Sequence, residues 1–270
     1  MIDFTEEQLE RYSRHILLQN VGVEGQEMIM KGKVLIIGAG GLGAPVALYL
    51  AAAGVGTIGI ADADVVDLSN LQRQVIHFTE DVGISKVKSA AAKMKKINPE
   101  VVVNEYHEFV TSENINDIID GYDFVIDGTD NFATKFLIND ACYLKKIPFS
   151  HGGILRFTGQ TMTIVPDESA CYRCVFHRPP PANLVPTCSQ AGVLGAIAGM
   201  LGTVQATEAL KFLTKTGTLL TNNLLTFDAL EMNFRKVKFK HNKNCIICGD
   251  NPEITELHDE EAAVCDLNNH

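Results

Sequence analysis

The sequence predicts an α/β fold: a Rossmann-like, doubly wound, mostly parallel sheet followed by a β-rich C-terminal part. Three observations predict it. Apolar runs of strand length alternate with helical patterns from Val34 to His151, the signature of βαβ units whose sheet is covered on both faces. Gly38-Ala-Gly40-Gly41-Leu-Gly43 follows the apolar run Val34-Leu-Ile-Ile37, and Asp62 ends the next apolar run. Two CxxC pairs, Cys171-Tyr-Arg-Cys174 and Cys245-Ile-Ile-Cys248, flank the second half of the chain. Each pair sets two thiols on one tight turn, and four such soft ligands are the set tetrahedral Zn²⁺ prefers. A shared zinc would staple the C-terminal segment to the middle of the fold.

Each element has its own signal. Thr5-Glu-Glu-Gln8 has the form of a capping box and opens a helix to about Leu18, with Leu9, Tyr12 and Ile16 on one face and Arg11, Arg14 and His15 elsewhere. A strand at 34–37, a helix from about Leu42 to Ala53 and a strand at 57–61 follow. Ser85 stands where it would cap a helix to Ile97, stopped by Asn98-Pro99. Val101–Asn104 is a strand, Thr111 starts a helical stretch, and Asp123–Ile126 is a strand. Asn131–Lys145 is helical and Ile147–His151 is a strand. Past Gly153 the texture changes. Gln160–Val165 is a strand with no helix after it, and four prolines between Cys174 and Gln190 predict a mobile loop. Gly192–Leu213 returns to helix, and 219–227 and 234–239 are strands. The expected organisation is one domain over 1–270: a helical region to 30, a nucleotide-binding core over 31–165, and a zinc-bound part over 166–270 with the loop at 175–191.

Composition narrows the function. The chain has 270 residues, 46% of them apolar, enough for a sizeable core. Its net charge of −10 argues against a nucleic-acid-binding surface, which needs clustered Lys and Arg. Residues 34–61 carry no charge, but seven glycines and Pro45 break that stretch into strand, turn, helix and strand rather than a membrane span. The other long uncharged run, 192–207, is read as a buried helix because of Gln205 and Glu208. Acids stand where a signal peptide would need a basic region, in Met1-Ile-Asp-Phe-Thr-Glu-Glu. The expected compartment is therefore cytoplasmic, where the seven cysteines stay reduced and metal binding outweighs disulfides.

A GxGxxG turn after a strand lets a phosphate approach the backbone and the free N–H groups of the next helix. Alone it fits NAD, FAD, SAM or ATP. The polar segment after the next strand shifts the balance: Asp62, Asp64, Asn70, Arg73 and Gln74 all fall just beyond a strand end, where open α/β sheets bind ligands. Lys86 opens the next helix, and Asp130 follows the strand at 123–126. Each charge alone reads as a surface ion pair. Together they suit a nucleoside triphosphate, with Arg73 and Lys86 on phosphate oxygens and Asp130 on Mg²⁺.

Asp-Leu-Ser-Asn-Leu-Gln-Arg-Gln (67–74), Gly-Thr-Asp-Asn (128–131), Cys-Tyr-Arg-Cys (171–174) and the closing Cys-x-x-Cys-Gly resemble the MoeB/ThiF/HesA family, bacterial relatives of ubiquitin-activating enzymes. The resemblance runs from about residue 5 to the end. It implies an ATP-dependent adenylyltransferase that activates the C-terminal glycine carboxylate of a small ubiquitin-like protein, in sulfur-carrier branches toward a thiocarboxylate. By that resemblance Gly41 lies beside the phosphates, Asp62 holds the ribose, Asn70, Arg73 and Lys86 line the triphosphate, and Asp130 binds Mg²⁺. Arg14 matches an arginine that reaches into a neighbouring subunit's ATP site, so a homodimer is expected. Cys171, Cys174, Cys245 and Cys248 match a structural zinc site. Cys188 matches a loop cysteine that takes part in acyl or persulfide transfer in some members and is dispensable in others. The sequence ends without a rhodanese-like extension, so a separate sulfur donor of the cysteine-desulfurase or rhodanese type is expected.

Three other readings compete. The chain could adenylate a non-protein carboxylate, such as one on a modified tRNA; the acidic charge and Cys188 count against this. An NAD(P)-dependent oxidoreductase leaves Arg73, Lys86 and both CxxC pairs unexplained. The last is a non-catalytic, zinc-stabilised binding or redox-sensing module, which ATP–pyrophosphate exchange with candidate ubiquitin-like proteins would separate from the adenylyltransferase.

Overall fold

The computed structural model describes residues 3–180 and 191–259. Eight strands form one sheet: β1 (Lys33–Ile37), β2 (Thr57–Ala61), β3 (Val102–Tyr106), β4 (Phe124–Asp127), β5 (Phe149–Leu155), β6 (Thr158–Ile164), β7 (Asn223–Asp228) and β8 (Asn233–Lys238). Their order is β3-β2-β1-β4-β5-β6-β7-β8. The first five positions pair in parallel and the last three pairings are antiparallel. The C-terminal β-rich part is thus a continuation of the parallel sheet. The order reverses at β1, between β2 and β4, which is where such sheets open a crevice at their carboxyl ends.

The helices are α1 (Glu6–Arg11), α2 (Ser13–Ile16), α3 (Gly22–Lys31), α4 (Gly43–Ala53), α5 (Lys86–Ile97), α6 (Ile115–Ile118), α7 (Phe132–Lys145), α8 (Tyr172–Val175) and α9 (Gly195–Thr214). They cover both faces, as the period of a strand requires. Val34 and Ile36 of β1 pack with Ile29, Val46, Leu50, Met94 and Ala206, from α3, α4, α5 and α9. Leu35 and Ile37 pack the other way, with Ile118, Phe136, Cys171, Tyr172 and Ile247.

The expected N-terminal helix breaks in two at Tyr12. That ring is buried, its hydroxyl accepts a hydrogen bond from Asn98 Nδ2 at 2.8 Å, and it lies so close over Gly54 that a Cβ there would come within 2.3 Å of the oxygen. The helix α9 is interior, as Glu208 implied. Its carboxylate accepts from Thr163 Oγ1 at 2.6 Å, the Leu220 N–H at 2.7 Å and Lys211 Nζ at 2.6 Å. Among the described residues no helix is long and apolar enough to cross a membrane.

Candidate active site

The site begins with the turn after β1. Gly38 sits at φ +98°, and a Cβ on it would lie 2.7 Å from the Gly128 carbonyl oxygen. A Cβ on Gly43 would lie 1.9 Å from the Gly38 oxygen. Only glycine fits either position: at Gly38 the turn is pressed against the loop that follows β4, and at Gly43 the helix starts against the turn's own carbonyl. The helix α4 starts at Gly43, so its free N–H groups face the turn. Above it a cavity of about 840 Å³ opens along the carboxyl ends of β2, β1, β4 and β5.

Most of the residues expected at the site line this cavity: Gly38, Gly40, Gly41, Asp62, Asp64, Arg73, Gln74, Lys86 and Asp130. Asp62 is fixed by two backbone donors, Ala39 N–H at 2.8 Å and Asp64 N–H at 2.9 Å. Burial pushes its carboxyl above the ordinary carboxylate range, while Lys86 and the two N–H donors pull it back. Lys86 is itself buried, 2.7 Å from Asp64 Oδ2 and 3.9 Å from Asp62 Oδ1. Arg73 Nη1 donates to the Ser69 carbonyl at 3.1 Å, which holds the guanidinium's stem over Gly41. Asp130 is exposed on the cavity.

Three expected residues stand elsewhere. Gly43 is buried behind the turn, where it serves the backbone approach. Asn70 does not line the cavity; its Oδ1 accepts the Asp67 N–H at 3.3 Å, closing a capping box over a short 3-10 turn. Arg14 is exposed on α2 and does not line its own chain's cavity. Cys188 lies outside the described residues, and so does Cys265.

Two polar groups that support the cavity carried no functional signal in the sequence. Under the Gly128-Thr129-Asp130 loop, Lys135 Nζ donates to Asp127 Oδ1 and Oδ2 at 3.1 and 3.0 Å, to the Thr129 carbonyl at 2.7 Å and to the Gly152 carbonyl at 2.6 Å. Thr129 Oγ1 donates to Asp127 Oδ1 at 2.6 Å, and His151 Nδ1 donates to Asp127 Oδ2 at 2.9 Å. Burial opposes ionisation of Asp127, but Lys135 and His151 outweigh it and hold the carboxyl well below its usual range. The second group is His77. Its Nε2 donates to the Ala39 carbonyl at 3.0 Å, since a carbonyl can only accept, and Nδ1 then accepts from Ser89 Oγ at 2.8 Å. His77 thereby ties the glycine turn to α5.

The four CxxC cysteines converge. Their sulfurs all lie within 4.8 Å of one another, with separations of 3.3 Å for Cys174–Cys248 and Cys171–Cys248, 3.5 Å for Cys171–Cys245 and 3.9 Å for Cys171–Cys174. A tetrahedron with 2.3 Å metal–sulfur bonds has edges of roughly 3.8 Å, so this donor set fits a single thiolate-bound metal. The α8 turn that carries the first pair is anchored on α7. Asn139 Oδ1 accepts the Tyr172 N–H at 2.9 Å, and Arg173 grips Asp140 with a two-pronged bond at 2.8 and 2.6 Å. Between its two cysteines, Tyr172 stands with its ring 4.6 Å from that of His151 and reaches the cavity wall.

Comparison with known proteins gives the family. The ThiF family model matches residues 12–247. The chain is 47% identical over 243 residues to the SAMP-activating enzyme E1 of Haloferax volcanii, covering 90% of each chain. It is 45% identical over 264 residues to the sulfur carrier protein adenylyltransferase of Thermus thermophilus, covering 96% of this chain and 97% of the relative. Among solved structures, E. coli MccB crystallised with AMPCPP and MccA superimposes with a TM-score of 0.80 at 23% identity, over 92% of this chain and 76% of MccB. At that identity the likeness concerns the fold. With its glycine turn, its polar crevice and three of its four converging cysteines inside the matched span, the chain belongs to the ThiF family.

Proposed function

We propose that this chain is an ATP-dependent adenylyltransferase that activates the C-terminal glycine carboxylate of a small ubiquitin-like sulfur-carrier protein ending in Gly-Gly, for thiocarboxylate formation. The observation that carries the reading is the convergence of the glycine turn, Asp62, Arg73, Lys86 and Asp130 on one cavity. The names of the relatives from Haloferax volcanii and Thermus thermophilus support the same class of partner. An oxidoreductase reading gives no role to two cations and an exposed second acid beside the glycine turn.

The chemistry suits these residues. A carboxylate is a poor acylating agent until one of its oxygens attacks the α-phosphorus of ATP. The new bond is a mixed anhydride, the bond to the β-phosphate oxygen breaks, and pyrophosphate leaves. Both reactants are anions, so rate comes from alignment and charge cancellation, which Arg73 and Lys86 supply. No general base is needed, because a C-terminal carboxylate is ionised at neutral pH. Asp130 is the group that would hold Mg²⁺, which when bound with the triphosphate neutralises its charge. The test is ATP–pyrophosphate exchange driven by ubiquitin-like proteins ending in Gly-Gly. Tight ATP binding with no exchange for any of them would overturn the reading.

In this reading the metal at Cys171, Cys174, Cys245 and Cys248 is zinc, with a structural role. Purified protein should carry one zinc per chain, and Cys245→Ser should release it and loosen residues 240–259, with nucleotide affinity changing less. Metal analysis and thiol titration check this; four freely titratable thiols and no zinc would exclude the site. In this reading the protein works in the cytoplasm, with sulfur supplied by chemistry of the cysteine-desulfurase or rhodanese type.

The reading also includes a homodimer with Arg14 acting in trans. An exposed arginine on a short helix outside its own cavity is available to a neighbour, and a two-fold interface would give two equivalent sites. Arg14→Ala should lower turnover more than ATP affinity. Mixing Arg14→Ala chains with Asp130→Ala chains, each inactive alone, should restore one working site per mixed dimer. If exchange stays absent although mixed dimers form, Arg14 does not act in trans.

A further inference from the structure

His151 has one unused nitrogen. Its ring is 1% exposed, Nδ1 is occupied by Asp127, and Nε2 is buried with no hydrogen-bond partner although His151 lines the cavity. A buried polar atom left unpaired is costly, so such atoms are normally satisfied by something that binds there.

The protonation state of that nitrogen limits the partner. Asp127 can only accept at its Oδ2, so the ring proton sits on Nδ1 and Nε2 presents a lone pair. Lys135, bound to the same carboxylate, already supplies its counter-charge. Burial and the Lys135 ammonium also favour the neutral ring. An acceptor lone pair cannot bind a phosphate or a carboxylate. It needs an N–H or O–H.

Position in the sheet separates the candidates. Ala61, Ile37, Asp127 and His151 lie on one rung of β2, β1, β4 and β5. Three strand spacings, roughly 14 Å, therefore separate His151 from the residue before Asp62. A ribose held at Asp62 keeps its own hydroxyls at the opposite end of the cavity. At the β5 end Gly153 lines the cavity beside His151 with no side chain of its own, and a Cβ there would lie 3.6 Å from Nε2. That end receives the reactant that brings the carboxylate.

We propose that His151 is a specificity residue: its Nε2 accepts a hydrogen bond from the amide N–H of the residue that bears the reacting carboxylate. The site thereby reads a peptidyl carboxylate and discriminates against acids that lack an N–H at this position. The proposal rests on the adenylation reading above and deepens it by naming the atom that recognises a polypeptide end.

The experiment uses a semisynthetic ubiquitin-like protein ending in Gly-Gly and its counterpart in which the last residue is glycolate, so that an ester oxygen replaces the terminal amide N–H. Pyrophosphate exchange is measured as kcat/KM for both. Wild-type protein should prefer the amide by roughly tenfold, the size expected when a buried acceptor loses its donor. In His151→Phe that preference should fall toward unity whatever happens to the absolute rate, because the ratio cancels any loss from disturbing Asp127. As a check that needs no variant, the ¹⁵N resonance of Nε2 in wild-type protein should move on adding the amide carrier and AMP, and stay in place with the ester. Equal discrimination in both proteins, or an Nε2 resonance indifferent to the carrier, overturns the proposal and leaves the adenylation reading intact. No exchange by wild-type protein with the amide carrier overturns both.

Discussion

Asp130→Ala should lower ATP–pyrophosphate exchange by roughly 10²–10³-fold, the range seen when one preorganised charge-stabilising group is removed. Asp130 is exposed on the cavity, so unfolding stability should stay within about 0.5 kcal/mol of wild type. Arg73→Ala should act in the same way, with a small additional loss because its stem covers Gly41. Lys86→Ala differs. Lys86 is buried against Asp62 and Asp64, so its removal should both abolish exchange and destabilise the glycine turn through Asp62 and Ala39. Steady-state exchange beside urea unfolding separates these cases. Near-normal exchange in Asp130→Ala would move the metal site to another carboxylate.

Lys135→Met should be the most destabilising single change at the site, by about 3–5 kcal/mol at neutral pH, because it leaves the Asp127 carboxylate buried without its cation. The pH dependence identifies the cause. In wild-type protein the folded carboxyl lies below its unfolded value of about 4, so its ionisation contributes stability at every pH above that and loses it only in stronger acid. In the variant burial is no longer offset by Lys135 and the folded carboxyl rises, so stability should improve as pH falls and the group is protonated. The gap between the two proteins should therefore narrow between pH 7 and pH 4.5. A gap of the same size at both would mean that Lys135 acts through packing and not through the charge of Asp127.

Local patterns made much of this legible. The strands of the first half, the glycine turn and the four thiols follow from short-range signals: period-two apolar runs, glycines at fixed offsets and CxxC spacing. Three features were out of reach for physical reasons. The helical region expected to residue 30 holds α3 as a helix of its own, whose bounds are hidden because Gly22 and Gly25 are poor helix formers, although it buries Gly25, Gln26 and Ile29. Lys135 stands on an amphipathic helix, where a lysine reads as solvent-facing; its partners Asp127 and Gly152 come from two different strands. His151 likewise depends on a bond across the β4–β5 pairing. Asn70 shows a second role beside the expected one. A polar residue in a phosphate-type segment reads as a ligand, and the structure adds that its Oδ1 shapes the turn locally.

The four-cysteine knot also sets a timetable for biosynthesis. Cys171 and Cys245 are 74 residues apart, and the apolar layer on that side of the sheet needs both of them, with Ile247, to close over Leu35 and Ile37. At about 5–20 residues per second a ribosome takes roughly 4–15 s to make the stretch between them. During that interval α9 emerges and completes the side of the sheet that α3, α4 and α5 cover, while the other side stays open to solvent, to chaperones and to other nascent chains. Where the proposed zinc fills this site, its capture by the newly emerged second thiol pair is the last step of maturation, and scarcity of that metal would first show itself as aggregation of newly made chains rather than as slow turnover of old ones.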